Sequence, residues 1–153
     1  MAWKPFARGM VVAALVAGTV VVGAGEALAA DTGYVKVDSP RGSAGNGATA
    51  RVIMTRQSNT VITYGSSYLN DVCGSSGGDG LRAVARAYVK YANGGYGYGQ
   101  WHQDARECGA APIQSTWGNF NGGSRISLAG LQVCVADGSP DNLVKCEYTL
   151  IGV

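Results

Sequence analysis

Charge and histidine are both scarce: 14% of the 153 residues are Asp, Glu, Lys or Arg, and His102 is the one imidazole in the chain. The first scarcity argues against a charge-rich disordered chain, and the second obliges any imidazole-dependent mechanism to use His102. No Cys-x-x-Cys pair occurs, and a single histidine is poor material for a zinc site. No metal and no cofactor is therefore expected. Arg-Arg pairs are also absent, so nothing points to twin-arginine export.

What the chain does have is concentrated at its start. Lys4 and Arg8 precede an apolar run over residues 10–25, MVVAALVAGTVVVGAG, and Ala27-Leu28-Ala29 supplies the small residues of a signal-peptidase site. The apolar run is shorter than the roughly 20 residues that span a bilayer, and no basic stop-transfer cluster follows it. Residues 1–29 are expected to be a cleaved secretory signal peptide and residues 30–153 a single secreted domain with no membrane anchor after cleavage. The mature part holds 10 basic and 9 acidic residues, a formal charge of +1. So balanced a domain has no bulk electrostatic reason to seek nucleic acid, and none is expected as a partner.

An even set of cysteines in an exported chain implies disulfides. The favoured pairs are Cys73 with Cys108 and Cys134 with Cys146, the second bracketing a turn-like segment between two strand-like runs. In the chain-entropy picture the shorter loop contributes about 3 kcal/mol and the longer nearer 4 kcal/mol. That matches much of the net stability of a small domain. Pairing also leaves no free thiol for catalysis.

Glycine-rich clusters at residues 40–47, 74–80, 93–99, 119–123 and 137–142 read as turns. Between them lie β-rich runs at residues 33–37, 48–56, 60–64, 96–103, 113–117, 126–136 and 143–153. Residues 81–91 satisfy two periods. Leu81, Ala83, Ala85, Ala87, Val89 and Tyr91 alternate with polar residues as a strand would, whereas Asp79, the alanines and Asn93-Gly94 suit a helix. The strand is favoured and the helix stays open. The expected fold is all-β, a small antiparallel sandwich or barrel stapled by two disulfides.

Several constellations compete for function. Tyr88, Tyr91, Tyr96, Tyr98 and Trp101 crowd one Gly/Asn-rich stretch, with Trp117 and Phe120 in a second. Tyr and Trp give rigid contact area with a polar tip, so Tyr96, Tyr98, Trp101, Trp117 and Phe120 are the candidate binding residues for an extracellular protein or carbohydrate. His102 with Asp104 or Glu107 is the candidate catalytic set of a small extracellular hydrolase. Asp71, Asp79, Asp137, Asp141 and Glu147 extend the carboxylates from which an acid–base pair could be drawn, although most sit where acids serve turns. Residues 137–142 hold two acids that suggest calcium but lack EF-hand spacing, which favours a plain turn. Arg82, Arg86 and Lys90, joined by Arg51 and Arg56, form a candidate basic stripe; a solvated sheet face is the default reading for it.

The general build is similar to that of small secreted bacterial inhibitors of proteases or amylases. That resemblance is one of architecture and covers no motif; the Trp-Arg-Tyr triplet of the tendamistat-like inhibitors is absent. The leading expectation is a secreted, disulfide-stabilised binding protein, such as an inhibitor or a surface recognition module. A small hydrolase is the second reading, and a structural envelope or coat component the third.

Overall fold

The computed structural model describes residues 30–106 and 108–152. The expected signal peptide, Glu107 and Val153 lie outside the described residues. Nine strands follow in order: β1 (Ala30–Asp38), β2 (Gly47–Arg56), β3 (Val61–Val72), β4 (Arg82–Tyr91), β5 (Tyr96–Tyr98), β6 (His102–Asp104), β7 (Ile113–Asn121), β8 (Ile126–Ala136) and β9 (Leu143–Ile151). No helix occurs among the described residues. The strands form two antiparallel sheets, one ordered β1-β2-β3-β7 and the other β5-β4-β8-β9, with β6 also pairing with β4.

The alternation visible in the sequence builds the core. Val35 and Val37 of β1, Val52 and Met54 of β2, and Ile62, Tyr64 and Leu69 of β3 are buried against Ala83, Ala85, Ala87 and Val89 of β4 and Leu131, Val133 and Val135 of β8. The helical alternative for the segment from Leu81 to Tyr91 is therefore wrong. Alanine's helix propensity yields here because β4 is a central strand buried on both faces. Its odd residues enter the inter-sheet core, while Val84 joins Cys134 and Ala136 in a small cluster on the outer face. The alanines also leave room for Tyr64, whose hydroxyl donates to the Tyr88 carbonyl at 3.4 Å.

Two long strands change face part-way along. In β3 the register with β2 shifts between Val52 and Met54, opposite Gly65, so Tyr64 and Ser67 are both buried. Gly118, at φ 81°, does the same for β7, and both Trp117 and Phe120 pack on the core. The run expected over residues 60–64 thus continues through this irregularity as one strand to Val72. Conversely, the run over residues 96–103 divides. β5 pairs with Tyr88, Val89 and Lys90, β6 with Ala83, Val84 and Ala85, and the Gly99 N–H donates to the Ala87 carbonyl between them.

Both disulfides form as paired from the sequence. Cys134–Cys146 joins directly opposed residues of β8 and β9, and Cys73–Cys108 ties the end of β3 to the loop after β6. They are consistent with an extracellular or otherwise oxidising environment. The two sides of the sandwich differ. Along one, β1 lies against β9, and a side chain at Gly33 would collide with Leu131. Along the other, β7 faces β5 and β6 across a cleft.

Candidate functional site

The outer face of the second sheet carries a continuous stack of side chains. The Tyr88 ring lies near-parallel to Tyr96 at 5.4 Å and to Tyr98 at 5.2 Å between centroids. The Arg86 guanidinium sits 4.0 Å from the Tyr98 centroid and 4.2 Å from that of Trp101. Lys90 approaches Tyr96 at 5.9 Å from the far end. The order along the face is thus Lys90, Tyr96, Tyr88, Tyr98, Arg86, Trp101.

Simple register explains the column. Arg86, Tyr88 and Lys90 alternate with the core residues of β4, Tyr98 stands opposite Tyr88, and Tyr96 stands opposite Lys90. Gly130 pairs with Tyr88 on the other side, and Tyr148 of β9 reaches Tyr88 edge-on at 5.5 Å. Arg86 is fixed further by donating from Nε to Gln132 Oε1 at 2.8 Å. Partial desolvation lowers the Arg86 pKa from its ordinary value, and burial raises that of the Tyr88 hydroxyl. Tyr96 and Tyr98 stay half exposed and Tyr148 more so.

The candidate binding residues therefore separate into two groups. Tyr96, Tyr98 and Trp101 belong to the column, whereas Trp117 and Phe120 belong to the cleft between the sheet edges. That cleft, about 500 Å³, is lined by Tyr98, Gln100, His102, Trp117, Asn119 and Phe120 among others. Tyr91, near in sequence to the column, turns inward and packs on the core. Tyr148 was not among the candidates: it shares a strand face with Cys146, and only the β8–β9 pairing brings it to Tyr88.

His102 faces this cleft, its ring stacked 4.6 Å from Trp117, which in turn lies 6.4 Å from Tyr64. Burial lowers the His102 pKa. Asp104, two residues on, is buried and bound to Arg106, with Nε to Oδ1 at 3.1 Å and Nη2 to Oδ2 at 3.2 Å. Among the described residues no hydrogen bond joins His102 to a carboxylate, so the expected His102–Asp104 dyad does not assemble; Glu107 lies outside them. Residues 74–78, GSSGG, have the spacing of a hydrolase nucleophile elbow. They form a loop leading to β4, with no helix behind Ser76 and with its N–H donating to Ser43 Oγ.

The remaining expectations resolve simply. Asp137 pairs with Arg41 at 2.9 Å, and residues 137–142 close as a turn through the Asp137 N–H to Asn142 carbonyl bond. No group of three or more candidate ligands gathers for a metal among the described residues. The five-residue basic stripe divides, because Arg51 and Arg56 belong to the first sheet and Arg82, Arg86 and Lys90 to the second. Comparison with protein-family models, curated proteins and solved structures finds no match for this chain.

Proposed function

We propose that this is an exported binding protein, released by removal of residues 1–29, that recognises an acidic extracellular protein through the column on its outer sheet face. The observation that carries this reading is the preorganised stack of Arg86 between Tyr98 and Trp101, continued by Tyr88, Tyr96 and Tyr148. Tyr, Trp and Arg are the residues in which interface energy concentrates, and side chains already locked together lose little entropy on binding.

Charge and geometry favour the class of partner. The outward strand positions of β4 hold Arg82, Arg86 and Lys90, and those of β5, β8 and β9 hold no acid. The Tyr98 ring is already engaged by both Arg86 and Tyr88. The column offers ring edges, hydroxyls and cations, which suit an acidic protein surface better than the stacking of a sugar on an open ring.

The test is affinity capture from the surrounding medium, followed by titration with the purified captured partner. Tyr98→Ala and Arg86→Ala should each weaken binding by about 10-fold or more while the fold persists, and binding should weaken as salt rises. A partner held equally well by both variants would place the interface elsewhere.

A further inference from the structure

A second cleft, away from the column, opens at the other end of β4. It measures about 550 Å³ and is lined by Asp71, the Cys73–Cys108 bridge, residues 77–82, and Ala105 and Arg106. That volume is within the ordinary range for small-ligand sites. β3 brings Asp71 to its wall, the loop before β4 brings Asp79, and β6 brings Asp104 behind Arg106.

The carboxylates are not equivalent. Asp104 is neutralised by Arg106. Asp71 is only 5% exposed, yet no hydrogen bond reaches its side chain among the described residues, although the Gly109 N–H donates to its main-chain carbonyl. Asp79 accepts the Leu81 N–H through Oδ1, while its buried Oδ2 has no partner. A buried oxygen of Asp79 with no partner and an Asp71 carboxyl with no hydrogen-bond donor thus border one cavity.

We propose that this cleft binds a single organic cation, an ammonium or guanidinium group, with Asp71 as its buried counter-ion and Asp79 Oδ2 as a second acceptor. Such a group supplies the hydrogen-bond donors and the charge that both carboxylates lack. A divalent metal fits less well, because no cluster of three ligands converges among the described residues. The source is a basic side chain of a polypeptide or a free amine, and the two share this chemistry.

The Asp71 carboxyl is harder to ionise than an ordinary aspartate. Burial first, then the charges of Asp79 and Asp104, raise the Asp71 pKa to about 7. The other charged groups bordering the cleft are Arg106, already paired, and Arg82, exposed at the rim; Arg41, in the loop packed against Asp79, is bound to Asp137. Glu107 follows Arg106 and lies outside the described residues. Cation binding must expel the Asp71 proton, so affinity rises with pH.

Calorimetric titration of the whole protein with agmatine, and with an acetylated, amidated Gly-Arg-Gly peptide, tests this; the matching citrulline peptide is the uncharged control. Binding should be at least ~10-fold tighter at about pH 8.5 than at about pH 5.5, since only the ionised fraction is competent. Asp71→Asn should abolish it and Asp79→Asn should weaken it. Agmatine binding alone points to a free amine, and peptide binding alone to a basic side chain; either supports the site. Thermal melts of the unmutated protein with and without agmatine at both pH values give the same answer should a variant not fold. No binding by either probe, equal binding of the citrulline peptide, affinity independent of pH, or displacement by calcium at similar concentration would overturn the proposal.

Discussion

Asp71 shows how one residue's surroundings govern a global property. In the sequence it is an acid near a glycine-rich loop, indistinguishable from acids that serve turns; in the fold it is a buried carboxyl whose pKa is raised to about 7. The folded chain therefore holds this proton more tightly than the unfolded chain, whose aspartates titrate near 3.8. Stability from this group is fully present below that value and is lost as pH rises through about 7. Each tenfold change in proton affinity is worth about 1.4 kcal/mol, so the loss is at most a few kcal/mol. Asp71→Asn, which is neutral at every pH, should flatten that decline, so the variant should match the parent in acid and exceed it in denaturant midpoint at about pH 8.5. A decline as steep in the variant would mean that Asp71 is solvated in the folded state.

At the level of strands, the legible part was whatever alternation and turn residues encode. β8, β9 and the inner face of β4 follow directly from period two, and the opposed pair Cys134 and Cys146 from the turn between them. β3 was legible only to Tyr64, because the irregularity at Gly65 reverses which residues face inward and erases the period. The candidate site was half legible for a similar reason. Tyr96, Tyr98 and Trp101 are close in sequence, but Tyr148 arrives through strand pairing and Arg86 through alternation, neither of which composition reveals. The bridges also divide by element. Cys134–Cys146 reinforces two strands already hydrogen-bonded, whereas Cys73–Cys108 anchors loops with few other ties, over 35 residues rather than 12. Replacing the Cys73–Cys108 pair by alanines should cost on the order of 4 kcal/mol and replacing Cys134–Cys146 nearer 3 kcal/mol, measured by urea midpoints. Cation binding in the cleft beside Cys108 should be lost with the first pair alone. The reverse order of stabilities would show that the hairpin depends on its bridge for its register.

Across the described residues, the sandwich is closed by β1 against β9 and left open where β7 meets β5 and β6, and the stacked pair of His102 on Trp117 spans the open side. Desolvation there lowers the His102 pKa from 6.5, so the folded chain resists a proton that the unfolded chain accepts. Its contribution to stability is present above about 6.5 and is lost as pH falls below that value, the opposite slope to Asp71. His102 pairs with Ala85 of β4 and faces the open cleft, while Asp71 lines the cation cleft, and the two share no hydrogen-bond partner among the described residues, so their effects should add. The Asp71 loss runs from pH 3.8 to about 7 and the His102 loss lies below 6.5. In the shared window the two slopes therefore oppose each other, and the stability of the unmutated protein should change little, levelling off above about pH 7. His102→Gln keeps a planar side chain for Trp117 while removing the titration, and should leave the Asp71 slope unopposed, so that stability drops more steeply as pH rises from about 5 to about 7. Asp71→Asn should leave the His102 slope alone, so that variant should lose stability as pH falls below 6.5, and the double variant should be nearly level across the range. Urea midpoints from about pH 5 to about pH 9 on the four proteins would separate these contributions. A fall below pH 6.5 that appears in Asp71→Asn and survives in the double variant would assign it to another group and leave the His102–Trp117 stack a packing contact without a proton-linked role.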